Sequence, residues 1–135
     1  VKTILAVDDE TAILRCFERA LKSQGYDVLV TSDPMRVSKL LQNHDLDLLM
    51  LDVRMPRKSG LQLFEELKQK FRNLPVLFVT AYPKSFSMDT QATMEMWQRD
   101  FADGNTDILY KPVDLDTLYE KVAGLIGPPE EDAQE

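Results

Sequence analysis

Apolar residues in this chain fall into two alternating patterns. Continuous runs occupy Thr3–Val7, Tyr26–Val30, 47–52 (DLLMLD), Pro75–Thr80 and 107–110 (DILY). Between them the apolar positions recur at helical spacing: Leu14, Phe17 and Leu21, then Leu40 and Leu41, then Leu61, Phe64, Leu67 and Phe71, and finally Leu115, Leu118, Val122 and Leu125. A run that is apolar at every position is the mark of a strand covered on both faces, and strands alternating with helices predict a parallel sheet between helical layers. Punctuation supports the boundaries. Gly25 stops the first helix, Ser32-Asp33-Pro34 starts the second, and Asp114 caps the last. The expected order is βαβαβα, a fourth strand, a longer segment with at least one helix, a fifth strand and a final helix.

Two stretches stand apart. Residues 81–106 carry Tyr82, Phe86, Met88, Met94, Met96, Trp97 and Phe101. They are expected as the core face of a helix between the fourth and fifth strands, with an adaptable contact surface as the competing reading. Residues 127–135 (GPPEEDAQE) are Pro-rich, acidic and poor in apolar residues, which predicts a tail or linker after one domain at 1–126.

The 135 residues are 44% hydrophobic and 29% charged, as expected of a single globular domain. No apolar run approaches the roughly 20 residues that cross a bilayer, and no signal-peptide pattern is present. With Cys16 as its one cysteine the chain makes no internal disulfide, so a cytoplasmic location is expected. The net charge of −7 argues against nucleic-acid binding by phosphate neutralisation. It leaves open whether the acidity is a solvated surface or a site that holds cations.

Functional groups of open α/β sheets gather outside the carboxyl ends of the strands. Asp8 and Asp9 end strand one, Asp52 ends strand three, Thr80 strand four and Lys111 strand five. If those strands are neighbours, the five side chains converge. Clustered carboxylates repel one another and need a cation, and an all-oxygen donor set suits Mg²⁺. A carboxylate can then act as a nucleophile toward phosphorus, with lysine as a point charge and threonine as a hydrogen-bond donor. Each residue has an ordinary alternative: Asp9 or Glu10 could cap the first helix, Thr80 could be a plain strand residue, and Lys111 an exposed cation. Asp52 is harder to dismiss, because an unpaired carboxylate at the end of the most apolar strand is costly.

The pieces Val7-Asp8-Asp9-Glu10, Asp52-Val-Arg-Met-Pro56 with Gly60, Val79-Thr80-Ala81 and Tyr110-Lys111-Pro112 resemble, in this order, the receiver domain of two-component response regulators. The resemblance runs from about residue 3 to 126. It implies a flavodoxin-like α/β fold: a doubly wound five-stranded parallel sheet in the order 2-1-3-4-5, with helices on both faces. Asp52 matches the phosphoacceptor and Asp9 the direct Mg²⁺ ligand, while Asp8 acts mainly through water. The backbone carbonyl of Arg54 completes the metal site, and Thr80 and Lys111 bind the phosphoryl group. A cis Lys111–Pro112 peptide is also implied. The expected partners are a histidine kinase or phosphotransfer protein and a downstream effector met through the face of the 81–106 helix, strand five and the final helix, with a homodimer as an option. The resemblance implies a phosphorylated switch rather than an enzyme, with only self-phosphotransfer and slow self-dephosphorylation.

The chain departs from the family pattern at two places. Ile108 stands where the family usually carries an aromatic that follows the threonine, so the movement of Thr80 is expected to be read through Tyr82, the loop after strand four or the 81–106 helix. That segment is also long, since Lys111 follows Thr80 by 31 positions. Two other functions compete. A receiver-like interaction module could work through residues 81–106 without phosphorylation. An aspartyl-phosphate phosphatase would need an acid/base carboxylate two residues after its nucleophile, where this chain has Arg54. A dinucleotide carrier is disfavoured because no G-x-G-x-x-G is present. Of the remaining residues, His44 is expected in a solvated loop and Cys16 as a small packing residue beside Phe17, and Arg54, Arg57 and Lys58 could steer an anionic phosphodonor.

Overall fold

The computed structural model describes residues 1–53, 60–81 and 105–129. Five strands, β1 (Thr3–Val7), β2 (Asp27–Thr31), β3 (Leu48–Asp52), β4 (Val76–Ala81) and β5 (Thr106–Lys111), form one sheet in the order 2-1-3-4-5. Every neighbouring pair is parallel. Among the described residues the α-helices are α1 (Thr11–Gln24), α2 (Val37–Asn43), α3 (Gly60–Lys70) and α4 (Leu115–Ile126). The expectations for Arg54, Arg57, Lys58, Tyr82 and the other aromatics and methionines of 82–104 lie outside the described residues.

Side-chain alternation builds two cores from each apolar strand. Ile4, Ala6, Leu48, Met50, Leu77 and Val79 pack with Leu14, Phe17 and Leu21 of α1 and with Leu118 and Val122 of α4. Their neighbours Leu5, Val7, Leu49, Leu51, Val76 and Phe78 point the other way, onto Val37 and Leu41 of α2 and Leu63, Phe64 and Leu67 of α3. This is why β3 is buried at all five positions. Each of the larger aliphatic and aromatic side chains contributes about 1.5–3 kcal/mol of transfer free energy.

Several expectations shift. Strand two begins at Asp27 rather than Tyr26, because Tyr26 N completes the turn after α1 by donating to the Leu21 carbonyl. Gly25 caps α1 in the left-handed region, at φ 108°. Asp33 caps as expected, accepting from Met35 N, but the turn it opens is 3₁₀ (Pro34–Arg36) before α2 begins. Cys16 is exposed and not a packing residue. The buried stripe of α1 runs through Leu14, Phe17 and Leu21, and the position before Phe17 turns away from it.

Candidate functional site

The sheet order makes β1 and β3 neighbours, with Val7 paired to Leu51. One step further, Asp8 and Asp52 lie side by side at the carboxyl ends of these strands, 1% and 4% exposed. Asp8 Oδ1 accepts a hydrogen bond from Glu10 N at 2.9 Å, which ties the carboxylate to the turn into α1. Glu10 occupies the N-cap of α1 without using its side chain as the cap. Its carboxylate turns instead to Lys111.

Lys111 comes from the last position of β5, followed by a cis bond to Pro112. Its Nζ lies 2.9 Å from Asp8 Oδ2, 3.3 Å from Glu10 Oε1 and 3.6 Å from Asp52 Oδ2. One ammonium thus compensates three carboxylates. Burial by itself would depress the lysine pKa, but pairing with Asp8, the charge of Asp52 and the Glu10 contact outweigh it, and the net displacement is upward. Apart from the ion pair, Asp8 Oδ2 has no hydrogen-bond partner.

Thr80 is buried near the end of β4, in register with Tyr110, and the next pair is Ala81 with Lys111. Asp9 is exposed beside Asp8, and carboxylate oxygens of Asp8, Asp9 and Glu10 lie within 4.8 Å of one another. This all-oxygen group, which includes a buried carboxylate oxygen held against the Lys111 ammonium, has the chemistry of a site for a hard divalent cation. From the sequence alone Glu10 reads only as a possible cap of the first helix. The signal that could have found it is its place one turn-residue beyond two acids that already require a cation.

Gly60 shapes the floor of the site. Its N donates to the Val53 carbonyl at 2.9 Å, closing the loop after β3. A Cβ at this position would stand 2.1 Å from the Asp52 carbonyl oxygen. Only glycine lets α3 begin this close to the backbone that carries Asp52.

Comparison with known proteins shows the family of this chain. The family model described as the response regulator receiver domain matches residues 4–123. The chain belongs to this receiver family. The receiver is 30% identical to the CAI-1 autoinducer sensor kinase/phosphatase CqsS of Vibrio cholerae over 93% of its own length and 17% of that protein. It is 31% identical to the transcriptional regulatory protein GlrR of Escherichia coli, over 88% of its length and 25% of the relative. It therefore spans a quarter or less of the length of these two relatives. Among solved structures, the receiver matches response regulator TrrA of Thermotoga maritima in complex with Mg²⁺–BeF, with a TM-score of 0.75 and 28% identity, covering 93% and 99% of the two chains. Chemotaxis protein CheY4 of Vibrio cholerae superposes with a TM-score of 0.76 at 25% identity, covering 93% and 98%. A receiver is in general a signalling switch rather than an enzyme. No helix among the described residues is long and apolar enough to cross a membrane.

Proposed function

We propose that this receiver accepts a phosphoryl group on Asp52 from a histidine kinase or phosphotransfer protein and switches conformation in response. The observation that carries the reading is the buried cluster in which Lys111 bridges Asp8 and Asp52 at the carboxyl edge of the sheet. An Asp52 carboxylate oxygen would attack phosphorus, the P–N bond to the donor imidazole would break, and the imidazole would leave as it gains a proton. Mg²⁺, when bound, supplies charge neutralisation for the phosphoryl oxygens. Asp8 and Asp9 would hold it together with Asp52 and the Arg54 carbonyl, and Glu10 adds a nearby charge. Lys111 would exchange its carboxylate partners for a phosphoryl oxygen, and the Thr80 hydroxyl would donate to another.

The receiver body is assigned to residues 1–126, with an enlarged segment at 81–106, and 127–135 form a tail or linker whose first residues lie against the body. The output partner would meet the face that contains β5 and α4, in the cytoplasm. In relatives such as GlrR the matched region is a quarter of a longer regulator, which supports an effector outside the receiver.

The test is incubation with a small acyl phosphate, with and without Mg²⁺, read by intact mass. The wild type should gain one phosphoryl group only with Mg²⁺, and Asp52→Asn should gain none. No gain by the wild type would favour an interaction module that works without phosphorylation.

A further inference from the structure

Lys2, Tyr26 and the Gly127–Pro129 stretch take no part in the Asp52 site, yet they converge at the opposite end of the sheet. Helix α4 has no basic residue in its last turn. A helix C-terminus leaves carbonyls unsatisfied and carries a partial negative charge. The missing cation comes from 124 positions away: Lys2 Nζ donates to the Ile126 carbonyl, and at 3.0 Å to that of Pro128. The hydroxyl of buried Tyr26 donates to the carbonyl between them, Gly127 O, at 2.9 Å.

The sequence is cut to fit these contacts. Gly127 has φ +82°, and a Cβ there would stand 2.8 Å from Lys2 Nζ. The backbone therefore demands glycine, and a larger residue would also push the end of the Lys2 side chain aside. Pro129 closes over Gly25, where a Cβ would lie 3.1 Å from the proline Cβ. Pro128 and Pro129 each restrict their own φ, so little freedom remains once the carbonyls are held. Burial raises the Tyr26 pKa, which keeps the hydroxyl a donor through the neutral range.

We propose that Lys2 and Tyr26 form a clasp that anchors the end of α4 and fixes the direction in which the chain leaves the receiver body. The strap at 127–129 is then part of the folded unit, tied to the start of β1 by Lys2 and to the α1–β2 turn by Tyr26.

Hydrogen exchange on the full chain tests this, with Lys2→Met and, separately, the near-isosteric Tyr26→Phe. In Lys2→Met the amides of Gly127 and the last turn of α4 should exchange about tenfold faster, the size expected for loss of a charged hydrogen bond. Tyr26→Phe should give a smaller acceleration at the same amides. Leu49 and Leu77, in the middle of the sheet, should keep their wild-type rates. A nitroxide attached at Glu130→Cys, in a Cys16→Ser background, should be restricted in the parent and mobile after Lys2→Met. Wild-type exchange at the end of α4 in both variants, equal acceleration throughout the protein, or a label already mobile in the parent would each overturn the clasp.

Discussion

Replacing Lys111 by methionine keeps an apolar stem of similar length and removes the ammonium. That group lies 2.9 Å from Asp8 and 3.6 Å from Asp52, with 15% of the side chain exposed. At an effective dielectric near 20 these contacts correspond to about 6 and 5 kcal/mol of gross attraction. Most of that is offset by desolvation of the charges, so the gross figure is not what the variant loses. What it keeps is two buried carboxylates no farther apart than the combined length of the two contacts, about 6.5 Å. Their repulsion at that separation is at least about 2.5 kcal/mol at the same dielectric. The more exposed Glu10 contact adds little. Breaking a buried pair from one side costs about 3–5 kcal/mol, and the 15% exposure of the Lys111 side chain favours the lower end. We therefore expect Lys111→Met to lose about 3 kcal/mol in urea unfolding at pH 7 with a chelator present, and to leave the m-value unchanged. Mg²⁺ should stabilise the variant more than the wild type, because no ammonium opposes the incoming ion. A variant as stable as the wild type in chelator, or one that gains less from Mg²⁺, would refute the assignment of Lys111 as the counter-charge of Asp8 and Asp52.

Gly60→Ala should destabilise by at least about 2 kcal/mol and slow phosphoryl uptake at Asp52, since all three atoms nearest the added carbon are backbone; urea unfolding and intact mass check the two effects. Phe64→Ala should cost about 3–5 kcal/mol, because the ring is buried and meets Phe78 edge-on at 5.0 Å; a thermal midpoint unchanged from wild type would contradict the packing described. Alkaline pH should unfold the protein progressively. The folded-state pKa values of Tyr26 and Lys111 are both raised, so each contributes stability that is full below its ordinary value, 10.0 or 10.5, and lost as pH rises through the folded value. The fall in urea midpoint above about pH 10 should be shallower in Tyr26→Phe and in Lys111→Met.

Much of the architecture was legible because it rests on local rules. A run such as Leu48-Leu49-Met50-Leu51 has no polar face, so it belongs between two layers wherever it lies in the sheet. Gly25, Asp33 and Asp114 act within a few residues of themselves, and all three cap helical turns at the expected places. The misreadings occurred where a neighbour decided. Tyr26 has the composition of a strand residue, but its N is claimed by Leu21 and its hydroxyl by Gly127. Cys16 adjoins a core residue in sequence and still faces water, because adjacent helical positions point about 100° apart.

The candidate site divides along the same line. By itself the sequence determined which chemistries were available: acids after strand one, an acid after strand three, a hydroxyl and an ammonium after strands four and five. Residue type and order along the chain are enough for that. The distances were decided only in the folded chain. Strand order 2-1-3-4-5 brings Asp8 beside Asp52, and the path of β5 delivers Lys111 to both. Tertiary structure alone turned Glu10 from a cap into a partner of Lys111 and joined Lys2 to the end of α4. Contacts between residues a hundred positions apart leave no local pattern, because the free energy that forms them comes from packing elsewhere in the sheet.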